Sequence, residues 1–132
     1  MFYNYDNSKY NLGTDIVDLK RFYAFDESKL DKLANKILCD EEFEVYNLSK
    51  NKNLRLAVYF SAKESISKAI CTGLSQLGLK NILLRYDELG KPYVLLAREA
   101  HKKARDNNIV NIVISISHDG DYVITNALAI SE

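Results

Sequence analysis

The chain has 132 residues, of which 47% are hydrophobic, 11% aromatic and 27% charged. These values are typical of one globular domain, and they exclude a disordered chain because five Gly and one Pro are too few for a linker. Lys plus Arg (18) balance Asp plus Glu (18), whereas a protein that binds nucleic acid mainly through phosphates carries a basic excess. We therefore expect no nucleic-acid partner.

The cysteines and the N-terminus indicate the cellular compartment. Cys39 and Cys71 lie far apart and form no CxxC pair, which argues against zinc-ribbon and redox motifs. The first residues, MFYNYDNSKYN, lack the basic and apolar segments of a signal peptide, and no apolar run approaches the roughly 20 residues that cross a bilayer. We expect a cytoplasmic protein with no membrane partner, in which a polar lead-in (residues 1–11) precedes a single domain (residues 12–132).

The first predicted elements are a short strand and two helices. Leu12–Val17 combine apolar and β-branched residues, which favours a strand. Asp26–Leu38 has the pattern of an amphipathic helix, with either Asp26 or Ser28 as its N-cap. The acidic residues 40–42 open a second helix that continues towards residue 48.

The longest predicted helix spans about Asn53 to Thr72, and Gly73 follows as its stop. Its apolar side chains recur at three- and four-residue steps, which predicts one buried stripe. The stripe contains Tyr59, Ala62, Ile66, Ala69 and Ile70.

The second half of the chain is richer in strands. Five segments are predicted there, all strands except the third, a polar helix: Asn81–Tyr86, Tyr93–Leu96, Arg98–Asn107, Asn111–Ser117 and Tyr122–Ile130. Residues 118–121 join the last two strands as a hairpin, and Ile112, Ile114 and Ile116 alternate onto one face. The sequence therefore predicts an α+β fold in which helices pack on a mainly antiparallel sheet.

Several polar residues lie where the local pattern does not require them. Asp15 falls in a strand-like segment, where its carboxylate must be hydrogen-bonded, exposed at a strand end or bound to a cation. Glu64 and Lys68 are four residues apart on the long helix and are also compatible with a solvent-exposed pair. Lys63 lies near the edge of the apolar stripe, where a long stem reaches solvent. His118 ends a strand at the entry to a tight turn, where histidine is also an ordinary turn residue.

Four short motifs follow one another along the chain at suitable spacings: GTDIVDLKR (13–21), FSAKESISKA (60–69), DELGKPY (87–93) and SISHDGDY (115–122). Together they resemble the holo-acyl-carrier-protein synthases, the small single-domain branch of the 4′-phosphopantetheinyl transferases. The resemblance covers the chain from about residue 12 to its end. It implies the 4′-phosphopantetheinyl transferase fold, and transfer of phosphopantetheine from coenzyme A to a serine of an apo acyl carrier protein, leaving 3′,5′-ADP.

The resemblance also implies the roles of individual residues. Asp15, Glu64 and Lys68 would be catalytic: the two carboxylates would hold Mg²⁺ on the coenzyme A pyrophosphate, and the lysine would stabilise the departing group. The proton of the attacking serine would pass either to a metal-bound water or to Glu64. Other expected coenzyme A contacts, besides Lys68, are Lys63, Gly90, Lys91, Pro92 and His118.

Arg21, with Lys20 beside it, matches a family arginine that docks the acidic carrier protein, although both are also compatible with ordinary helix-surface charge. The resemblance further implies a homotrimer with active sites between subunits.

The chain departs from the family at three positions. Cys71 replaces a glycine of a Gly-Thr-Gly run, Tyr59 stands where an arginine is frequent, and Asp119 stands where threonine is common. A non-catalytic module that binds coenzyme A or 3′,5′-ADP is therefore the alternative to an enzyme. A purely structural oligomerisation domain leaves the four ordered motifs unexplained.

Overall fold

Antiparallel sheets and α-helices make up the part of the chain that the computed structural model describes, residues 1–5, 9–70 and 78–132. In chain order the elements are β1 (Tyr10–Asp18), α1 (Leu19–Tyr23), α2 (Glu27–Ile37), α3 (Asp40–Leu48), α4 (Lys52–Ala69), a 3₁₀ turn (Leu79–Asn81), β2 (Ile82–Tyr86), β3 (Pro92–Leu96), α5 (Arg98–Asp106), β4 (Ile109–Asp119) and β5 (Tyr122–Ser131). This arrangement confirms the predicted α+β class. Among the described helices, none has both the length and the apolarity needed to cross a membrane.

The helices begin where their capping residues predict. Asp26 is the N-cap of α2, and its Oδ1 accepts a hydrogen bond from the backbone N–H of Lys29 at 2.8 Å. The helix α3 begins at Asp40, as the acidic residues indicate. The apolar stripe of α4 is buried as predicted, whereas the predicted end of that helix at Thr72 and Gly73 lies outside the described residues.

The strands form two sheets, one in the order β1-β5-β4 and one that pairs β2 with β3. The β4–β5 hairpin is confirmed, but its turn is shorter than predicted. His118 and Asp119 remain in the ladder opposite Val123 and Tyr122, so the connection is only residues 120–121. β1, at one end of the chain, pairs along its whole length with β5, at the other. The first and last strands of the sequence therefore lie side by side in one sheet.

The helix α4 packs on the inner face of the three-stranded sheet, and Gly13 sets how closely it approaches. A Cβ at Gly13 would overlap the carbonyl oxygen of Ser65 and lie 2.7 Å from the backbone nitrogen of Ala69. The small side chains of Ala127 and Ala129 on β5 are also fully buried on this face. Backbone therefore meets backbone here, and only glycine leaves enough room.

Lys63 is buried inside the molecule, not at the edge of the apolar stripe as the sequence suggests. Its side chain is 1% exposed, and its Nζ donates to Glu42 Oε1 at 2.8 Å and to the carbonyl oxygens of Leu79 and Ile82. Burial lowers the pKa of Lys63, and the charge of Glu42 opposes that shift. The ammonium group thus joins α4 to α3 and to the start of β2. The expected contact of Lys63 with a coenzyme A phosphate is therefore set aside.

We predict that Gly13→Ala destabilises the fold by about 3 kcal/mol, the upper end of overpacking costs, because a helix backbone cannot yield as a side chain does. Denaturant unfolding measures this loss. Gly120→Ala is the matched control, since a Cβ there meets open space and only its φ of +58° is unfavourable, at about 1 kcal/mol. An equal loss in both variants would contradict the close approach.

We predict that Lys63→Met lowers the free energy of unfolding by about 3–5 kcal/mol, because Glu42 is left as a buried charge without its partner. Lys36→Met, on an exposed position of α2, should leave stability nearly unchanged. A stable Lys63→Met protein with a raised KM for coenzyme A would instead assign Lys63 to the substrate.

Candidate active site

Asp15 lies in the middle of β1 and faces α4. Its side chain is only 13% exposed, and its Oδ1 accepts a hydrogen bond from Lys68 Nζ at 3.3 Å. The other oxygen, Oδ2, is buried and has no hydrogen-bond partner among the residues that the structure describes. A buried carboxylate oxygen without a partner is costly. Asp15 therefore has the free ligand position that a bound cation requires.

Glu64 and Lys68 complete this group from α4. Glu64 is half-buried, and burial together with the nearby charge of Asp15 raises its pKa, while Lys68 partly offsets the shift. Lys68 Nζ donates to the carbonyl oxygen of Thr14 at 2.8 Å as well as to Asp15. In the described part of the chain the ion pair of Lys68 is with Asp15, on another element. Glu64 and Lys68 therefore do not form the solvent-exposed helix pair that their spacing alone suggests.

These residues fit a magnesium ion that is shared with a phosphorylated ligand. No group of three or more potential ligands among His, Cys, Asp and Glu occurs in residues 1–5, 9–70 and 78–132. Mg²⁺ needs no such group, because it is commonly bound by one or two carboxylates plus phosphate and water oxygens. A divalent cation beside Asp15 and Glu64 would satisfy Asp15 Oδ2 and offset the two causes that raise the pKa of Glu64, its burial and the charge of Asp15.

His118 and the glycine-lysine-proline turn lie on other elements. His118 is exposed near the end of β4, and its Nε2 is 3.2 Å from the carbonyl oxygen of Gly120. Strand alternation and register place it on the same face of the sheet as Asp15. Gly90, Lys91 and Pro92 form the end of the β2–β3 hairpin, where Asp87 Oδ1 accepts from the backbone N–H of Lys91 at 2.9 Å. Within the described residues, no hydrogen bond or ion pair joins this turn to Asp15, Glu64 or Lys68.

Lys20 and Arg21 are exposed on α1, the short helix that directly follows β1. Asp18 caps this helix, since its Oδ1 accepts from the backbone N–H of Lys20 at 3.0 Å. Lys20 Nζ is 3.7 Å from Asp121 Oδ2, a weak surface contact. The strand β1 therefore positions Asp15, and the helix that directly follows it carries a basic surface.

The three departures from the family pattern have different surroundings. Tyr59 is 2% exposed, so it belongs to the core and lines an apolar cavity of about 260 Å³ with residues such as Val45 and Leu84. Asp119 is exposed in the β4–β5 ladder. Cys71 lies outside the described residues. Neither Tyr59 nor Asp119 takes part in the hydrogen bonds of Asp15 and Lys68.

Sequence analysis missed the partner of Lys63, which is Glu42. Glu42 is 2% exposed and also accepts from the backbone N–H groups of Cys39 and Leu84, at 3.1 and 3.0 Å. Its place in the acidic run of residues 40–42 suggested only the start of a helix. A signal was present, since a buried lysine on an apolar helix requires a carboxylate from another element.

Comparisons with known proteins agree on one family. A family model for the 4′-phosphopantetheinyl transferase superfamily matches residues 11–127. The chain is 40% identical over 120 residues to a holo-[acyl-carrier-protein] synthase of Thermoanaerobacter sp. (strain X514), which covers 90% of this chain and 86% of that protein.

Solved structures give the same result. The crystal structure of holo-[acyl-carrier-protein] synthase from Neisseria meningitidis superposes with a TM-score of 0.83 at 31% identity, covering 90% of this chain and 96% of that one. The Helicobacter pylori holo-[acyl-carrier-protein] synthase in complex with coenzyme A superposes with a TM-score of 0.76 at 26% identity, covering 89% and 98% of the two chains. With the family model, the sequence identity and the fold in agreement, the chain belongs to the holo-[acyl-carrier-protein] synthases of the 4′-phosphopantetheinyl transferase superfamily.

Proposed function

We propose that the chain transfers the 4′-phosphopantetheine group from coenzyme A to a serine of an apo acyl carrier protein, releases 3′,5′-ADP, and uses Mg²⁺ to do so. The observation that carries the proposal is the buried Oδ2 of Asp15 on β1, which has no hydrogen-bond partner among the described residues. The Glu64 carboxylate on α4 is near enough that, after burial, the charge of Asp15 helps to raise its pKa. The family supplies the reaction, and coenzyme A is bound in a related structure.

Asp15 and Glu64 are the residues that would hold the metal. A magnesium ion held there would supply positive charge to the pyrophosphate of coenzyme A and so favour departure of 3′,5′-ADP. Asp15 contributes Oδ2, since Oδ1 already accepts from Lys68. Glu64 is poised in a site that disfavours its own charge, so its carboxylate gains more from a nearby cation than an exposed one does.

Lys68 acts on the phosphates beside the carboxylates. An ammonium group has three N–H donors, and two are used on Thr14 and Asp15. Within the described part of the chain the third N–H has no acceptor of its own, and it is available to a phosphate oxygen of coenzyme A. Because half of its side chain is exposed, the Lys68 ammonium group can move towards the leaving group and stabilise the negative charge that develops there.

The attacking serine belongs to the carrier protein, so the chain itself needs no nucleophile. We assign its docking to Arg21 and Lys20, which are exposed on the helix that follows the Asp15 strand. A local basic surface on a chain without net charge steers an acidic partner to one place. The hairpin residues Gly90, Lys91 and Pro92, together with His118, are assigned to the nucleotide part of coenzyme A.

A homotrimer with active sites between subunits also belongs to this proposal. The outer face of the three-stranded sheet supports it, because several large apolar side chains there are exposed in a single chain, at 73% for Leu12 and 60% for Ile16. Tyr122 and Ile124 on β5 extend the same face. Covering such a face by further copies removes it from water.

The direct test is intact-mass spectrometry of an apo acyl carrier protein after incubation with this protein, coenzyme A and Mg²⁺. We expect a gain of one phosphopantetheine, which EDTA prevents and added Mg²⁺ restores. Measurable coenzyme A binding without any mass gain across several carrier proteins would instead support the non-catalytic binding module.

We predict that Asp15→Asn and Glu64→Gln each lower the transfer rate at least ~100-fold, the scale of losing one group that stabilises charge in the transition state. Circular dichroism should show an unchanged fold, because neither substitution alters the volume of the site. Glu99→Gln, an exposed carboxylate on α5, is the matched control. Near-normal rates in the two site variants would refute the metal assignment.

We predict that Arg21→Glu raises the KM for the carrier protein about tenfold, equivalent to about 1.4 kcal/mol, and leaves the KM for coenzyme A unchanged. The charge reversal repels an acidic partner without touching the phosphates. Arg105→Glu, at an exposed position of α5, should have little effect on either constant. An equal effect of both variants would show a nonspecific loss of positive charge instead of a docking surface.

A further inference from the structure

Two hydroxyl groups meet in the interior where α4 packs on β5, next to Asp15 in the sheet. They belong to Thr125 on β5 and Ser61 on α4, and both residues are fully buried. The two side-chain oxygens are 2.9 Å apart, and Thr125 Oγ1 also donates to the carbonyl oxygen of Ser61 at 2.9 Å.

The proton count fixes the direction of both hydrogen bonds. A hydroxyl has one proton, and that of Thr125 goes to the Ser61 carbonyl. The Ser61 hydroxyl must therefore donate to Thr125 Oγ1. Both groups are satisfied within the pair, and the pair joins strand to helix at a fixed height and rotation. Apolar contacts alone would constrain sliding of the helix along the strand less, because they are not directional.

The pair lies on a short structural path between the two carboxylates. Thr125 is the register partner of Asp15 across the β1–β5 ladder, and Ser61 is one helical turn before Glu64 on α4. A shift of α4 along β5 would therefore move Glu64 relative to Asp15. The contact of Gly13 with Ser65, one turn further along the same helix, limits how close the helix comes but does not by itself fix its height.

We infer that Thr125, through Ser61, is a positioning residue that sets the separation of Asp15 and Glu64 for the metal. It touches neither the metal nor the substrate in this role. The inference rests on the proposed function, since it concerns the magnesium that the two carboxylates would hold. It adds a residue that none of the four sequence motifs marks as functional.

The test is metal affinity measured directly, with Mn²⁺ as the probe and electron paramagnetic resonance of free Mn²⁺ as the readout, in the presence of coenzyme A, which carries the pyrophosphate. Thr125→Val keeps the volume of the side chain and removes the hydroxyl. It should weaken Mn²⁺ binding about tenfold, the scale of losing an outer group that orients a metal ligand. Thr125→Ser keeps the hydroxyl and should restore binding to near the wild-type level.

A second variant separates positioning from stability. Tyr46→Phe removes a different buried hydroxyl, which donates to Asp31 Oδ1 at 2.7 Å between α3 and α2. It should lower thermal stability and leave Mn²⁺ affinity unchanged. Ser61→Ala removes only the contact between the two hydroxyls and keeps the hydrogen bond from Thr125 Oγ1 to the Ser61 carbonyl, so it should weaken Mn²⁺ binding less than Thr125→Val does. The double variant should bind Mn²⁺ as weakly as Thr125→Val alone, because Thr125→Val already removes both contacts.

The outcomes distinguish the positioning role of Thr125 from the assignment of the metal to Asp15 and Glu64. Wild-type protein that binds Mn²⁺, with Thr125→Val binding it equally well, overturns the positioning role and leaves the metal assignment standing. Wild-type protein that binds no Mn²⁺ with coenzyme A present overturns both. Equal weakening in Thr125→Val and Tyr46→Phe shows a general loss of stability and also overturns the positioning role.

Discussion

The close approach of β1 and α4 at Gly13 is the constraint on which the site depends. A single side-chain carbon at this position would overlap the backbone of the helix. The absence of that carbon brings a strand carboxylate, Asp15, beside Glu64 and Lys68 of the helix. Pairing of β1 with β5 then holds Asp15 at one height on the sheet. The chemistry of the molecule thus follows from a packing distance.

Charge is distributed differently in the two buried regions of α4. At Lys63 and Glu42 a lysine and a carboxylate pair directly, and backbone groups satisfy their remaining capacity, so this pair is structural. At Asp15 and Glu64 two carboxylates lie together, and one oxygen has no partner within the described residues. Neighbouring residues of one motif, Lys63 and Glu64, therefore have opposite tasks, because successive positions of a helix point in different directions.

Local pattern predicted most of the elements but few of their contacts. The alternation of Ile112, Ile114 and Ile116 and the cap at Asp26 are short-range signals, and the structure confirms them. Lys63 and Glu42 pair across separate helices, and periodicity along one helix does not encode such a contact. Sequence analysis therefore placed Lys63 at the edge of the apolar stripe with its amine in solvent. The group of Asp15, Glu64 and Lys68 came from the order of the motifs, not from spacing, which favoured a solvent-exposed pair.

The most direct measurement of the central claim is anomalous X-ray diffraction from crystals grown with coenzyme A and Mn²⁺, an ion that shares the preference of Mg²⁺ for oxygen ligands. The account predicts an anomalous peak that contacts Asp15 Oδ2, the Glu64 carboxylate and the pyrophosphate. Bound coenzyme A with no peak there, or a peak held by other residues, would contradict it.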